Sequence, residues 1–371
     1  MKFIPQSRSS DSRARTGTIS TEHSDIPTPV FMPVGTAGAV KAILQRDLQS
    51  LSARIILANT YHLLLRPGME VIKSSGGLHR FIGWDQSILT DSGGFQIYSL
   101  QENSRVSERG VTFRSHIDGR EFSISPEEVV DIQNILGSDI QMVLDYFRGP
   151  PASKKEDHQA LKLTETWARR SRERFIQTRR NNAQFAIIQG GLHEDLREES
   201  LEGLKRIGFE GYAVGGLSVG ESGADFSRIL RFILPLMEGD KPRYLMGCGS
   251  PEEILTAVEM GVDMFDCVLP TRVARNGALF TGGGRISIKN SQYRLDPRPP
   301  DETCQCYTCR NFSRAYLRHL YLSGEINAAV LNTLHNLHFY LDFMEKIRYS
   351  ITTDKFAEFK NSFLNNYHKK E

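Results

Sequence analysis

Four polar side chains in this chain of 371 residues stand where short apolar runs end or are interrupted. Asp91 closes SILTD (87–91), Asp145 closes IQMVLD (140–145) and Gln189 closes FAIIQ (185–189). Asp266 stands inside MFDCVL (264–269). Two further runs end in flexible backbone: YAVGG (212–216) at Gly215-Gly216, and YLMG (244–247) at Met246-Gly247. For any one of these the ordinary explanation is a helix N-cap. The joint pattern asks for more, because an isolated carboxylate among apolar residues is costly unless it is partnered or has a chemical task. Two aspartates in separate roles, one attacking or stabilising a cationic carbon and one moving a proton, fit chemistry at a glycosidic bond. Asp145 and Gln189 supply in-plane acceptors and donors. That set suits the edge of a guanine-like base, and Gly215-Gly216 would let backbone N–H groups approach a flat ligand.

A second constellation is of a different kind. CQCYTC places Cys304, Cys306 and Cys309 as C-x-C-x2-C, and LNTLHNLHFY carries His335 and His338 on an expected helix. Three thiolates and one imidazole make a closed tetrahedral zinc site, structural because no position is left open. The two histidines lie one turn apart, and spacing does not choose between them. Five cysteines in all, three of them packed together, argue against a disulfide framework. Arg310, Arg314 and Arg318 follow at spacing four, as a positive rim or simply a solvated helix face.

These groups need a scaffold that gathers strand ends. Together with PVFMPV (29–34) and RIILAN (54–59), the runs number eight, and most are followed by an amphipathic stretch such as 127–136, 196–207 or 251–260. Continuous rather than alternating apolar runs suit strands buried on both faces. Eight of them alternating with helices predict a (β/α)8 barrel spanning residues 1–371, in preference to an open doubly wound sheet. Ser250, Pro251 and Glu253 read as a capping box at the start of 251–260. VTFRSHIDGREFSIS (111–125) reads as an extra β-hairpin around Asp118-Gly119, and 280–350 as an inserted zinc-binding subdomain after strand eight.

Composition narrows the class. At 39% hydrophobic and 24% charged residues the chain reads as soluble and globular. A net charge of +2 excludes a bulk polycation but not a local basic patch. No apolar run nears the ~18 residues of a membrane helix, and the N-terminus lacks a signal-peptide core, so the cytoplasm is expected.

Several motifs occur in order: LTDSGGFQ (89–96), AVGGLSVGE (213–221), YLMGCG (244–249), MFDCVLPTRVARNG (264–277), and CQCYTC with a histidine 26 positions after Cys309. In these the chain resembles the bacterial queuine-type tRNA-guanine transglycosylases over nearly its whole length. The resemblance implies exchange of guanine at wobble position 34 of GUN-anticodon tRNAs for a 7-deazaguanine. The default incoming base is 7-aminomethyl-7-deazaguanine, with free queuine as the alternative. It implies a double displacement with Asp266 as nucleophile on C1′ and Asp91 as general acid/base. Ser92, Gly93, Gly94, Phe95, Asp145, Gln189, Gly215, Gly216, Leu217 and Met246 match base-binding positions. A peptide flip is implied near Leu217-Ser218, supported by Glu221. Gly247, Cys248, Gly249, Ser250, Pro251, Glu252 and Glu253, with Thr271, Arg272, Val273, Ala274 and Arg275, match the RNA-binding segments. His335 matches the ligand completing Cys304, Cys306 and Cys309 around one structural Zn2+ per subunit, in a homodimer. Asp91 must hold a proton near neutrality to act as an acid, so its pKa is expected to be raised.

The chain departs from the bacterial pattern at Tyr146-Phe147, where Glu-Cys is common, and at Phe95, often tyrosine. A bulky Phe147 is expected to reshape the wall that meets the 7-substituent. Other readings fare worse. A sugar glycosidase has no use for the arginine segment or the cysteines, and a non-catalytic tRNA-binding subunit would not need both aspartates. The archaeal relative that modifies the tRNA core carries added C-terminal RNA-binding domains. No dinucleotide or Walker motif is present.

Overall fold

The computed structural model describes residues 1–94, 96, 104–149, 152–178 and 180–367. The chain opens with an antiparallel sheet of β1 (Lys2–Arg8), β2 (Arg15–Ser20) and β3 (Asp25–Thr28). Three parallel strands follow: β4 (Val30–Met32), β5 (Ile55–Asn59) and β6 (Ser87–Asp91). A second antiparallel sheet of β7 (Ser104–Ser107), β8 (Gly110–Arg114) and β9 (Glu121–Ile124) interrupts them. The parallel series resumes with β10 (Ile140–Met142), β11 (Ala183–Ile188), β12 (Gly211–Val214), β13 (Arg243–Leu245) and β14 (Met264–Asp266).

The eight parallel strands run in the order β4-β14-β13-β12-β11-β10-β6-β5. The sheet closes on itself where the Leu57 amide donates to the Pro33 carbonyl at 3.0 Å and Gly35 donates to Leu57 at 2.6 Å. This is the expected (β/α)8 barrel. The strands are short, but β5, β10, β11 and β12 are buried along their whole length, which is why their sequences are apolar without alternation. Register aligns what the sequence leaves far apart: Asn59 pairs with Asp91, and Asp266 with Met32.

Polar signals start the helices between strands. Ser125 and Ser153 form full capping boxes with Glu128 and Glu156. The box expected at Ser250 is only half made. Ser250 accepts from the Glu253 amide, but Glu253 turns away, with its carboxylate 3.9 Å from Cys248 Sγ. The expected hairpin at 111–125 is present as β8 and β9, extended by β7 into three strands.

The N-terminal sheet is fastened under the barrel by Arg15. Its guanidinium grips buried Asp263 at 2.9 and 2.6 Å, just before β14. At the other end of the chain, β15 (Ala278–Thr281) and β16 (Gly284–Ser287) form a hairpin. Short helices at Tyr307–Asn311 and Arg314–Leu322 lead into a long helix, Ile326–Thr352. The first half of that helix carries His335. The second half gives Tyr340, Phe343, Met344, Ile347 and Ile351 to the main core. Of the arginines at spacing four, Arg314 is buried and ion-paired with Asp296, so no three-arginine rim exists. No helix among the described residues is long and apolar enough to cross a membrane.

Candidate active site

At the C-terminal ends of the barrel strands lies a cavity of roughly 490 Å³, within the range of small-ligand sites. Asp91, Asp145, Gln189, Gly215, Gly216, Leu217, Met246, Gly247, Asp266 and Arg272 all line it. Residues spread over some 180 positions are therefore brought to one mouth, as barrel topology does for loops after successive strands.

One side of the cavity is built to read a flat polar edge. Gln189 donates from Nε2 to Asp145 Oδ2 at 2.7 Å. Gly94 must be glycine here, because a Cβ would lie 2.0 Å from Asp145 Oδ1. Gly216 has a positive φ of 64°, and a Cβ there would press on the Phe147 ring and Gln189. The carbonyls of Ile188, Gly191 and Gly215 converge on the buried guanidinium of Arg197, at 2.8, 2.9 and 2.6 Å. That one side chain holds the loops after β11 and β12 in place. Glu221 accepts from the Ser218 and Val219 amides at 2.5 and 3.0 Å, bracing the stretch after Leu217. Ser92 is fully buried and accepts from the Gly94 amide; Gly93, at φ 99°, turns the chain over Tyr61. Phe95 lies outside the described residues.

The other side holds the charges. Burial pushes Asp91 up to about 7, helped by repulsion from Asp145 and then Asp266. Asn59 opposes this by donating to Asp91 Oδ2 at 3.1 Å. Burial raises Asp145 to about 6. Asp266 is also raised by burial, against the Gly247 amide and the Tyr244 hydroxyl, which both donate to it. Low dielectric and like charge favour the neutral acids, and each hydrogen-bond donor favours the anion.

The mouth is basic on the β14 side. Arg272 is exposed, whereas Thr271 and Ala274 are buried and Val273 is partly so. Arg275 is half-buried, and its Nη1 is sealed from solvent with no partner among the described residues. Along the β13 loop, Cys248, Gly249 and Pro251 are buried and shape the backbone; Gly249 receives the Tyr340 hydroxyl at 2.5 Å. Ser250, Glu252 and Glu253 are the partly exposed residues there. Reading along the sequence missed Asn59, Arg197 and Tyr244. Asn59 and Tyr244 meet their aspartates only through the register of neighbouring strands, and Arg197 resembles any charged helix residue.

Away from the cavity, Cys304, Cys306, Cys309 and His335 present their ligand atoms within 4.8 Å of one another. The Sγ atoms lie 3.8, 3.5 and 3.2 Å from His335 Nδ1. Tetrahedral zinc bonds of ordinary length would set that edge at about 3.6 Å. His335 Nε2 lies 2.7 Å from the Phe280 carbonyl. A proton held there leaves Nδ1 free to ligate. The donor set thus fits a metal ion and is compatible with zinc, and it chooses His335, which meets all three thiols, whereas His338 Nδ1 is placed against Cys304 Sγ at 3.5 Å and does not join the four-atom group.

A family model described as Queuine tRNA-ribosyltransferase matches residues 10–369. Curated proteins with the same name are similar over almost their full length. One from Nitrosospira multiformis is 53% identical over 363 residues, 98% of each chain. One from Solidesulfovibrio magneticus is 54% identical over 350 residues, 94% of each. One from Neisseria meningitidis serogroup A is 51% identical over 356 residues, 96% of each.

Proposed function

The chain belongs to the queuine tRNA-ribosyltransferase family, and from that premise we propose how this tRNA-guanine transglycosylase works and what it exchanges. The reaction replaces guanine at position 34 of GUN-anticodon tRNAs with a 7-deazaguanine, 7-aminomethyl-7-deazaguanine by default. In the first displacement, a carboxylate oxygen of Asp266 bonds to C1′ of the target ribose. The C1′–N9 bond breaks with its electron pair on the base, and Asp91 supplies the proton with which guanine leaves. In the second, the incoming base gives its N9 proton to Asp91 and bonds to C1′, and the ester bond to Asp266 breaks. The observation that carries this reading is the meeting of Asp91, Asp145 and Asp266 in one cavity, with Asp91 held near neutrality. A general acid that must also become a base works best with a pKa near the working pH.

Asp145, Gln189 and the loop from Gly215 to Leu217 bind the base, with Met246 beside it; Ser92, Gly93 and Gly94 set the floor. The target nucleotide must leave its stack to reach so recessed a site. Arg272 and Arg275 hold its neighbours, since a guanidinium both stacks on bases and pairs with phosphate. The exposed guanidinium of Arg272 at the mouth of the cavity supports this. Gly247 to Glu253 and Thr271 to Ala274 shape this RNA-binding rim. Zinc would be held by Cys304, Cys306, Cys309 and His335, one ion per subunit. It would supply cross-linking only, tying the helix Tyr307–Asn311 to the long helix. A homodimer in the cytoplasm completes the proposal, as does a single barrel over 1–371 with a zinc-binding subdomain at 280–350.

Phe147 lines the base cavity and packs over Gly216, which supports a narrowed wall and a small incoming base. Release of labelled guanine from tRNA, driven in turn by aminomethyl-deazaguanine and by queuine, tests this. Higher kcat/KM for the aminomethyl base is expected, with Phe147→Ala improving queuine; preference for queuine in the native enzyme refutes the choice of base.

A further inference from the structure

Asp266 is held asymmetrically. The Tyr244 hydroxyl donates to Oδ1 at 2.6 Å, and the Gly247 amide donates to the same oxygen at 2.8 Å. Oδ2 receives no hydrogen bond from a described residue, and it is not among the sealed polar atoms that lack a partner. It therefore keeps contact with the cavity that Asp266 lines. Tyr244 is 1% exposed and sits on β13, the neighbour of β14, so its ring cannot swing away without unpacking the core. Its own hydroxyl is raised well above the ordinary phenol range, by burial first and then by the Asp266 charge. It is thus a permanent donor, never a competing base.

We propose that Tyr244 is a positioning residue that, with the Gly247 amide, pins Oδ1 of Asp266 and leaves Oδ2 as the atom that bonds to C1′. This rests on the assignment of Asp266 as nucleophile. In the free enzyme the two donors keep the carboxylate ionised in a cavity that disfavours charge. Once Oδ2 carries the ribose, Oδ1 is the carbonyl oxygen of the ester, still facing both donors. In the second displacement the C1′–Oδ2 electron pair returns to the carboxylate, and the donors stabilise the charge that reappears across both oxygens. Donors already aimed at developing charge need no reorganisation at that moment. Tyr244 therefore favours breakdown of the ester over its persistence.

Tyr244→Phe removes one oxygen and tests this. A hydrogen bond to a charged group is worth enough that kcat should fall roughly 10- to 100-fold. KM for tRNA should fall along with kcat, since slowed breakdown of the adduct leaves kcat/KM for tRNA, which reports the first displacement, little changed near neutral pH. The acidic limb of kcat/KM should move to higher pH. Rapid quenching onto denaturing gels should find more of the enzyme held as the covalent adduct during turnover. Placing 3-fluorotyrosine, a stronger donor, at position 244 should move the acidic limb the other way. Native rates and an unmoved limb in Tyr244→Phe overturn the proposal while leaving the nucleophile assignment intact. Exchange surviving in Asp266→Asn overturns that assignment instead. If Tyr244→Phe fails to fold, the fluorotyrosine enzyme decides, and an unmoved limb refutes the clamp.

Discussion

Replacing Asn59 by serine should move the alkaline limb of the reaction upward. Asn59 makes three side-chain hydrogen bonds, one of them from Nδ2 to Gln96 Oε1 at 3.1 Å, and the other two matter here. Its Oδ1 caps the helix Thr60–Leu65 by accepting from the His62 amide at 3.3 Å. Its Nδ2 donates to Asp91 Oδ2 at 3.1 Å. Serine keeps the cap at nearly the same strength but is too short to reach Asp91. The lost bond had favoured the charged form of Asp91, so its loss raises the pKa further from about 7. A charge-assisted bond worth about 1.5 kcal/mol corresponds to about one pKa unit. Departure of guanine needs Asp91 protonated, so kcat/KM falls as pH rises through its pKa. In Asn59→Ser that fall should come about one pH unit later, while the acidic limb, set by Asp145 and Asp266, stays in place. The assay is guanine exchange into an anticodon hairpin across pH 5–10, with Tm followed to verify the cap. A limb that stays or moves down in a folded variant refutes both the role of Asn59 and that of Asp91.

Other consequences follow from the same groups. Asp91 is protonated in the fold between about 3.8 and about 7, where the unfolded chain has already lost the proton. Its contribution to stability therefore falls as pH rises through that window and is flat above it. Asp91→Asn should be inactive yet more stable than the native enzyme at pH 8, by up to about 4 kcal/mol, and denaturant titration at pH 8 checks this; equal or lower stability contradicts the raised pKa. Arg197→Met removes the donor of the Gly191 and Gly215 carbonyls, while Ile188 keeps the Gly215 amide, and should cost about 2–5 kcal/mol. It should also raise KM for the base more than for tRNA, which base-exchange kinetics would reveal. The native chain should carry about one equivalent of zinc by metal analysis, and Cys306→Ser should abolish it and lower Tm by about 5–15 °C. Unchanged metal content would count against the cysteine set.

Much of the barrel is legible in the sequence because its strands are buried on both faces. Ser87–Asp91 is read to the residue, whereas β14 stops at Asp266 although MFDCVL runs to Leu269, since the chain must turn there to start the helix Leu269–Arg275. The N-terminal sheet is not legible. KFIPQSR alternates exposed and half-buried positions, carries Pro5, and gains its partners only on folding. β7 is hidden for the same reason: SRVS is too short and polar to announce a strand. In the site, aspartates at strand ends are conspicuous because charge there is expensive. The groups that tune them are not, since Asn59 lies 32 residues from Asp91 and Tyr244 lies 22 from Asp266. Sequence spacing likewise cannot separate His335 from His338. The structure separates them by burying His335 completely and pointing its second nitrogen at Phe280.

The central claim, that Asp266 carries the ribose, is tested most directly by trapping. Enzyme, an anticodon hairpin with guanine at the wobble position, and 9-deazaguanine, whose carbon replaces the attacking nitrogen, are mixed and run on a denaturing gel. A protein–RNA adduct is predicted, with the ester mapped by peptide mass to the segment holding Asp266 and lost in Asp266→Asn. An adduct that persists in Asp266→Asn, or one that maps to Asp91 or Asp145, contradicts the account.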